Sequence, residues 1–390
     1  MRRFGHCLVA LSCLSLGACS LFSSGDDDEP EPATLVEFDA TTKVDKVWDA
    51  GLGGDAKGLR LGLVPASNGA RVFAASFEGQ VEAYDAITGT RVWRTDTDLP
   101  LTGGPGVGRD RIAAGSSEGD LITLAIEDGT VLWQKKIGSE ILAAPAFTSD
   151  KVIVRTGDGR LIAYNADDGE QLWEVTKRVQ GLTLRGNSVP VVSGERVISG
   201  FDDGTLASVN VADGVVAWER PTSERRGRTE FDRLADVDGR VAVIGEDVFA
   251  VGFQGTAALL SASTGTPVWR QDISSHQSVA LDWNRVYMTR ADDTVIALNR
   301  ASGVIVWEQS ALSLRGVTGP AVIGSLVVVG DFDGYVHFMD AATGEFVARK
   351  RVASGPMIAS PLVVGDVLLT LGTDGSLTAL RPAQPTAPTP

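Results

Sequence analysis

"AYDAITGTRVW" occupies Ala83 to Trp93. "TLAIEDGTVLW" follows at Thr123 to Trp133, and "AYNADDGEQLW" at Ala163 to Trp173. The glycine inside the phrase recurs as Gly89, Gly129, Gly169, Gly214, Gly265, Gly303 and Gly344, at intervals of 40, 40, 45, 51, 38 and 41 residues. Four residues after it stands a tryptophan in six copies: Trp93, Trp133, Trp173, Trp218, Trp269 and Trp307. The seventh copy has Ala348 there. A period in this range marks a repeat architecture.

Each unit reads as strands. In "VIVRTGDGRLIAYNADDGEQLW" (Val152 to Trp173) three β-rich runs are separated by the turns "TGDG" and "NADDG". The short run "APAF" (Ala144 to Phe147) precedes them, joined by "TSDK". Four short antiparallel strands in about forty residues make a propeller blade. A blade cannot bury both faces alone, so blades stack around an axis. No stretch carries a 3.6-residue apolar period, so few helices are expected. An eighth phrase begins at Gly375 and stops at Leu380, before its last strand. "DKVWDAGLG" (Asp45 to Gly53) resembles that missing strand, and Trp48 lies 45 residues before Trp93. The expected fold is therefore all-β: an eight-bladed β-propeller of four-stranded antiparallel blades over 34–381, closed by an N-terminal strand. Closure protects the sheet edges at the two chain ends.

The 390 residues are 43% hydrophobic and carry a net charge of −15. That acidity argues against a broad nucleic-acid surface, which needs cations to neutralise phosphates. Arg2 and Arg3 form a positive n-region, and Cys7 to Leu16 a short apolar run too short to span a bilayer. "LGACS" (Leu16 to Ser20) resembles a bacterial lipobox. The resemblance implies removal of residues 1–18 and lipidation of Cys19. Ser20, in place of an aspartate that favours inner-membrane retention, implies transfer to the outer membrane. Of the three cysteines (Cys7, Cys13 and Cys19) such removal would keep only the lipidated Cys19, so the remaining chain has no disulfide, thiolate nucleophile or cysteine metal site. "SSGDDDEPEPAT" (Ser23 to Thr34) is acidic and proline-bearing and reads as a tether, residues 19–33. Residues 382–390 read as a proline-rich tail.

The phrase A-x-D-x-x-T-G-x-x-x-W resembles the tryptophan-docking repeat of pyrroloquinoline quinone enzymes. Six equivalent tryptophans cannot all touch one axial cofactor, so the indoles are expected to pack between blades and to donate to the backbone. The vicinal cysteine pair of those dehydrogenases is absent. Only His276 and His337 lie beyond the leader, too few for a histidine-rich metal site. "DFDG" (Asp331 to Gly334) sits where a hairpin turn is due and lacks the later glutamate of a calcium loop. No cofactor and no metal are expected.

The repeat is broken in two adjacent connectors. These are "EVTKRVQGLTLRGNSVP" (Glu174 to Pro190) and "ERPTSERRGRTEFDRLADVDGR" (Glu219 to Arg240). Outer-to-inner connectors emerge on one face of a propeller. Shifting by the 51-residue interval between Gly204 and Gly255 aligns Asp236 with Arg185. Leu182 and Leu184, beside Arg185 and opposite aspartates, have the composition of a protein-binding patch, although two leucines also suit a core plug. The lipobox, acidic tether, eightfold repeat, "LTLRG" and "TEFDRLADVDG" together resemble the BamB family, lipoprotein subunits of the outer-membrane β-barrel assembly (Bam) machinery. The resemblance implies a non-enzymatic scaffold, on the periplasmic face of the outer membrane, that docks on a POTRA domain of BamA. It carries the family's contact residues onto Leu182, Leu184, Arg185, Asp236 and Asp238. "SERRGR" (Ser223 to Arg228) is more basic than the family pattern. Unfolded outer-membrane clients are further candidate partners. The alternatives are a quinoprotein-like enzyme and a periplasmic adaptor with another partner.

Overall fold

The computed structural model describes residues 30–52, 62–177, 188–222, 241–252, 255–357 and 359–383. The chain divides into two units, Met1–Glu31 and Pro32–Pro390. Every regular element among the described residues is a strand, and all lie in the second unit. They form eight sheets. Blades 1 to 7 span 66–96, 101–136, 146–176, 191–221, 242–271, 280–309 and 321–351. Blade 8 joins 362–382 to the N-terminal strand Val44–Gly51. That strand pairs antiparallel with Ser376–Pro382, Trp48 lying opposite Ala379. The expected closure is present.

The middle strands of each blade are buried on both faces; in blade 3, Val152, Ile153 and Val154 lie against Ile162, Ala163 and Tyr164. The outermost strand alternates instead. In "QLWEVT" only Trp173 is fully covered, because one face meets the next blade and the other meets solvent. One blade departs from the expected four strands. Gly62–Leu63, in the connector from blade 8 to blade 1, pairs in parallel with Leu101–Val107 of blade 2. Glycine permits this approach: a Cβ on Gly62 would lie 1.6 Å from the Leu142 carbonyl oxygen.

The opening phrase now has a physical reading. In blade 1 the Asp85 carboxylate accepts hydrogen bonds from the N–H groups of Ile87 and Thr88, which fixes the turn. Gly89 has φ +69°, which a side chain resists. It also faces the indole of Trp48 from blade 8, where a Cβ would lie 2.5 Å from the ring. The Trp48 Nε1–H donates to the Ala86 carbonyl at 3.1 Å. The contact repeats around the ring. Trp93, Trp133, Trp173, Trp218, Trp269 and Trp307 donate to the carbonyls of Ile126, Ala166, Val211, Ala262, Arg300 and Ala341 of the following blade. Each covers that blade's phrase glycine.

Candidate functional site

In a four-stranded meander the first and third turns point one way. The second turn and the blade-to-blade connector point the other. The phrase turns therefore define one face of the ring, and the connectors with the second turns, such as "TGDG" (Thr156 to Gly159), define the opposite, connector face. The first long connector leaves blade 3 at Lys177, whose N–H donates to the Gly159 carbonyl at 2.9 Å. It returns at Ser188, whose buried hydroxyl accepts the Gly200 N–H at 3.1 Å. The second leaves at Thr222, whose N–H and hydroxyl both donate to the Gly204 carbonyl, and returns at buried Val241. Leu182, Leu184, Arg185, Asp236 and Asp238 lie between these ends, outside the described residues, as does Cys19. The described residues nearest in sequence are the connector ends on blades 3 and 4.

Between these two blades lies a buried ion pair. Arg155 of blade 3 meets Asp202 of blade 4 at 2.7 Å, with side-chain exposures of 2% and 4%. The guanidinium also donates to the carbonyls of Gly200 and Thr156 and lies 5.0 Å from the centre of the Phe201 ring. Lys177 approaches the same ring and pairs with Glu219 of blade 4. A desolvated, hydrogen-bonded pair resists loss of either partner, because the survivor would be a buried, unpaired charge. Blades 3 and 4 are thereby joined where the first connector begins and ends.

A second connector repeats the spelling of the first. "LSLRG" (Leu312 to Gly316) stands 130 residues after "LTLRG" (Leu182 to Gly186), in the connector from blade 6 to blade 7. This copy is described, and its partner is the protein's own N-terminal segment. The Ala33 N–H donates to the Ser313 carbonyl at 2.9 Å, and Arg315 Nη1 returns a bond to the Ala33 carbonyl at 3.0 Å. Leu35 packs on the cluster that contains Leu312 and Val317.

Arg315 is held by Asp331 and Asp333 of the "DFDG" turn and lies 4.6 Å from the centre of the Phe332 ring. Asp331 does shape that turn, accepting from the N–H groups of Asp333 and Tyr335. Its other oxygen meets Arg315 and the fully buried His337 at 3.0 Å. Arg349 Nε donates to His337 Nδ1 at 3.1 Å, which assigns the proton of a neutral ring to Nε2, facing Asp331. Burial depresses the His337 pKa, opposed by Asp331 and aided by the two arginines. Burial works against the Asp331 carboxylate, but donors from His337, Tyr335 and Arg315 outweigh it and hold its pKa below the ordinary value. Arg349 also donates to the Val36 carbonyl. Sequence reasoning took the aspartates as turn residues and missed this clamp; the second "LxLRG" was its one visible signal.

The residues do not fit a quinone site. Seven of the eight tryptophans are spent on the neighbouring blade, and the eighth, Trp283, is 88% exposed on a surface hairpin. Among the described residues no group of three or more His, Cys, Asp or Glu side chains is placed to hold a metal ion.

Comparison with known proteins agrees with this architecture. A family model described as outer membrane protein assembly factor BamB matches residues 77–309 and 306–384. The chain is 42% identical to the BamB of Pseudomonas aeruginosa over 97% of its own length and 99% of the relative's. It is 45% identical to that of Alkalilimnicola ehrlichii over 96% of each. The crystal structure of BamB from Moraxella catarrhalis superposes with a TM-score of 0.80 at 27% identity, covering 87% of this chain and all of that one. The quinohemoprotein alcohol dehydrogenase of Comamonas testosteroni gives a TM-score of 0.69 at 14% identity, covering 89% of this chain and 78% of that one, which is a likeness of fold alone. By both the family model and its near full-length relatives, the chain belongs to the BamB family of outer membrane protein assembly factors.

Proposed function

We propose that this protein is a non-enzymatic scaffold subunit of the Bam complex. Lipidated at Cys19 and held at the periplasmic face of the outer membrane, it docks on the POTRA domains of BamA and assists insertion of β-barrel proteins. The observation that carries this reading is the near full-length relationship to outer membrane assembly factors.

Docking is assigned to Leu182, Leu184, Arg185, Asp236 and Asp238. Their connectors spring on one face from adjacent blades, which Arg155 and Asp202 join. The leucines supply apolar anchors, and Arg185 and the aspartates a charged rim. The test is capture of BamA from detergent-solubilised membrane by the wild-type protein and by a Leu184→Ala/Arg185→Ala variant. Wild-type capture and variant loss, with unchanged melting, is the expected result. Full capture by the folded variant would remove the site assignment, and no capture by the wild type would favour an adaptor with another partner.

A further inference from the structure

The N-terminal segment enters the propeller at a fixed point. At Ala33 it is bonded to Ser313 and Arg315, both in the connector from blade 6 to blade 7, so it enters on the connector face. It then runs beside the outer strand of blade 7. Arg349 donates to the Val36 carbonyl at 3.0 Å and stacks 5.0 Å from the centre of the Phe38 ring, and Phe38 lies 5.5 Å from Phe346. At Thr41 and Thr42 both N–H groups donate to the Val347 carbonyl. Here the chain has reached the opposite face. It reverses and returns as Val44–Gly51, whose end meets Gly375 through the Leu52 N–H, again on the connector face.

We propose that the lipid tether leaves the propeller on the face that carries the two docking connectors, and that the anchored protein therefore turns this face toward the bilayer. The inference rests on lipidation of Cys19. Fourteen residues, 19 to 32, separate the thiol from the fixed point at Ala33. Relaxed, such a segment spans about 20 Å, and fully drawn out about 45–50 Å. A six-residue strand is itself about 20 Å long. To bring the phrase-turn face to the membrane, the tether must first run back along a whole blade, which consumes its relaxed length. With the connector face down it need not. A partner bound to the long connectors then lies between the propeller and the lipid surface.

The lipidated protein is reconstituted in phosphatidylethanolamine/phosphatidylglycerol vesicles that contain a headgroup-spin-labelled phospholipid. A bimane is attached to one introduced thiol at a time. Glu78→Cys and Glu118→Cys report the connector face; Ile87→Cys and Ala342→Cys report the phrase-turn face, and all four positions are exposed. Connector-face labels should be quenched at least twofold more strongly than phrase-turn labels. A spacer of about twenty Gly/Ser residues inserted after Ser24 should draw the ratio toward one, since a longer chain no longer distinguishes the faces. Equal quenching on both faces with the native tether overturns the proposal, as does stronger quenching on the phrase-turn face. Failure of the lipidated protein to join vesicles also overturns it, and is told apart by flotation, because that result removes the anchor itself.

Discussion

Trp48→Ala tests how the ring is held shut. Trp48 is 7% exposed and sits on the one strand that blade 8 draws from the other end of the chain. Its indole stacks on Tyr84 at 6.2 Å, covers Gly89 and donates to the Ala86 carbonyl. Truncation leaves a cavity between blades 8 and 1 and unpairs that carbonyl. A buried tryptophan cut to alanine costs about 3–5 kcal/mol. For a domain of this size a loss of 1 kcal/mol lowers Tm by about 2 °C, so a fall of about 6–10 °C is expected by circular dichroism. Gly89→Ala approaches the same contact from the other side. Its methyl meets both a positive φ and the indole at 2.5 Å, so destabilisation is expected although no atoms are lost. Deleting residues 20–29, which precede the fixed point at Ala33, should leave Tm unchanged. If Trp48→Ala melts within 1 °C of wild type, or the tether deletion is as costly, closure does not rest on this contact.

The buried pair of blades 3 and 4 should behave asymmetrically. Asp202→Ala strands Arg155 and should cost about 3–5 kcal/mol, while an Arg155→Met/Asp202→Leu double variant should recover most of the loss in urea titrations. For His337, burial sets the folded pKa below the unfolded value, so the folded protein favours the neutral ring. Stability from this group is complete above the unfolded pKa of about 6.5 and declines as the pH falls toward the folded value, because unfolding then takes up a proton. His337→Gln should flatten the Tm-against-pH curve below pH 6.5; an unchanged slope would show that His337 does not carry the dependence. Purified protein mixed with pyrroloquinoline quinone should show no saturable absorbance change, and saturable binding with alcohol oxidation would restore the enzyme reading.

The fold was legible because its cause is local and repeated. An Asp–Gly turn followed by a tryptophan is written into eleven contiguous residues, and each copy states both the hairpin and the surface that the preceding blade covers. The closing strand was legible for the same reason, since "DKVW" is a fragment of the phrase. The fifth strand of blade 2 was not, because two residues, Gly62–Leu63, carry no periodicity. The clamp of Arg315 and Arg349 on the N-terminal segment was not legible either. Arg315 and Ala33 are 282 positions apart, and Arg349 and Val36 are 313 apart, so no local pattern joins them. Asp331 read as a turn aspartate because it is one; its second oxygen serves His337 and Arg315, and a turn motif is silent about that. The proposed docking residues are a third case. Leu182, Leu184, Arg185, Asp236 and Asp238 are proposed from broken repetition and resemblance alone, and lie outside the described residues.

The missing seventh tryptophan shows how far the repeat determines its own exceptions. Every indole in the ring needs a phrase glycine on the following blade to pack against and a turn carbonyl to receive its N–H. Blade 7 is followed by blade 8, and there the turn before the last strand is the gap between the chain ends, with Ala383 bonded to the Lys43 carbonyl. No Asp–Gly turn exists at that point. An indole at position 348 would find neither acceptor nor flat glycine surface. Ala348 is small and buried, and the space is filled from the strand ends by Val44, Val347 and Leu380. Phe38 stacks on Phe346, and Lys350 donates to the Val44 carbonyl across the same seam. The break in the sequence pattern therefore falls at the interface of blades 7 and 8, along which the N-terminal segment runs. Ala348→Trp should accordingly destabilise the ring by overpacking, by about 1–3 kcal/mol, where restoring a consensus residue would ordinarily be expected to help.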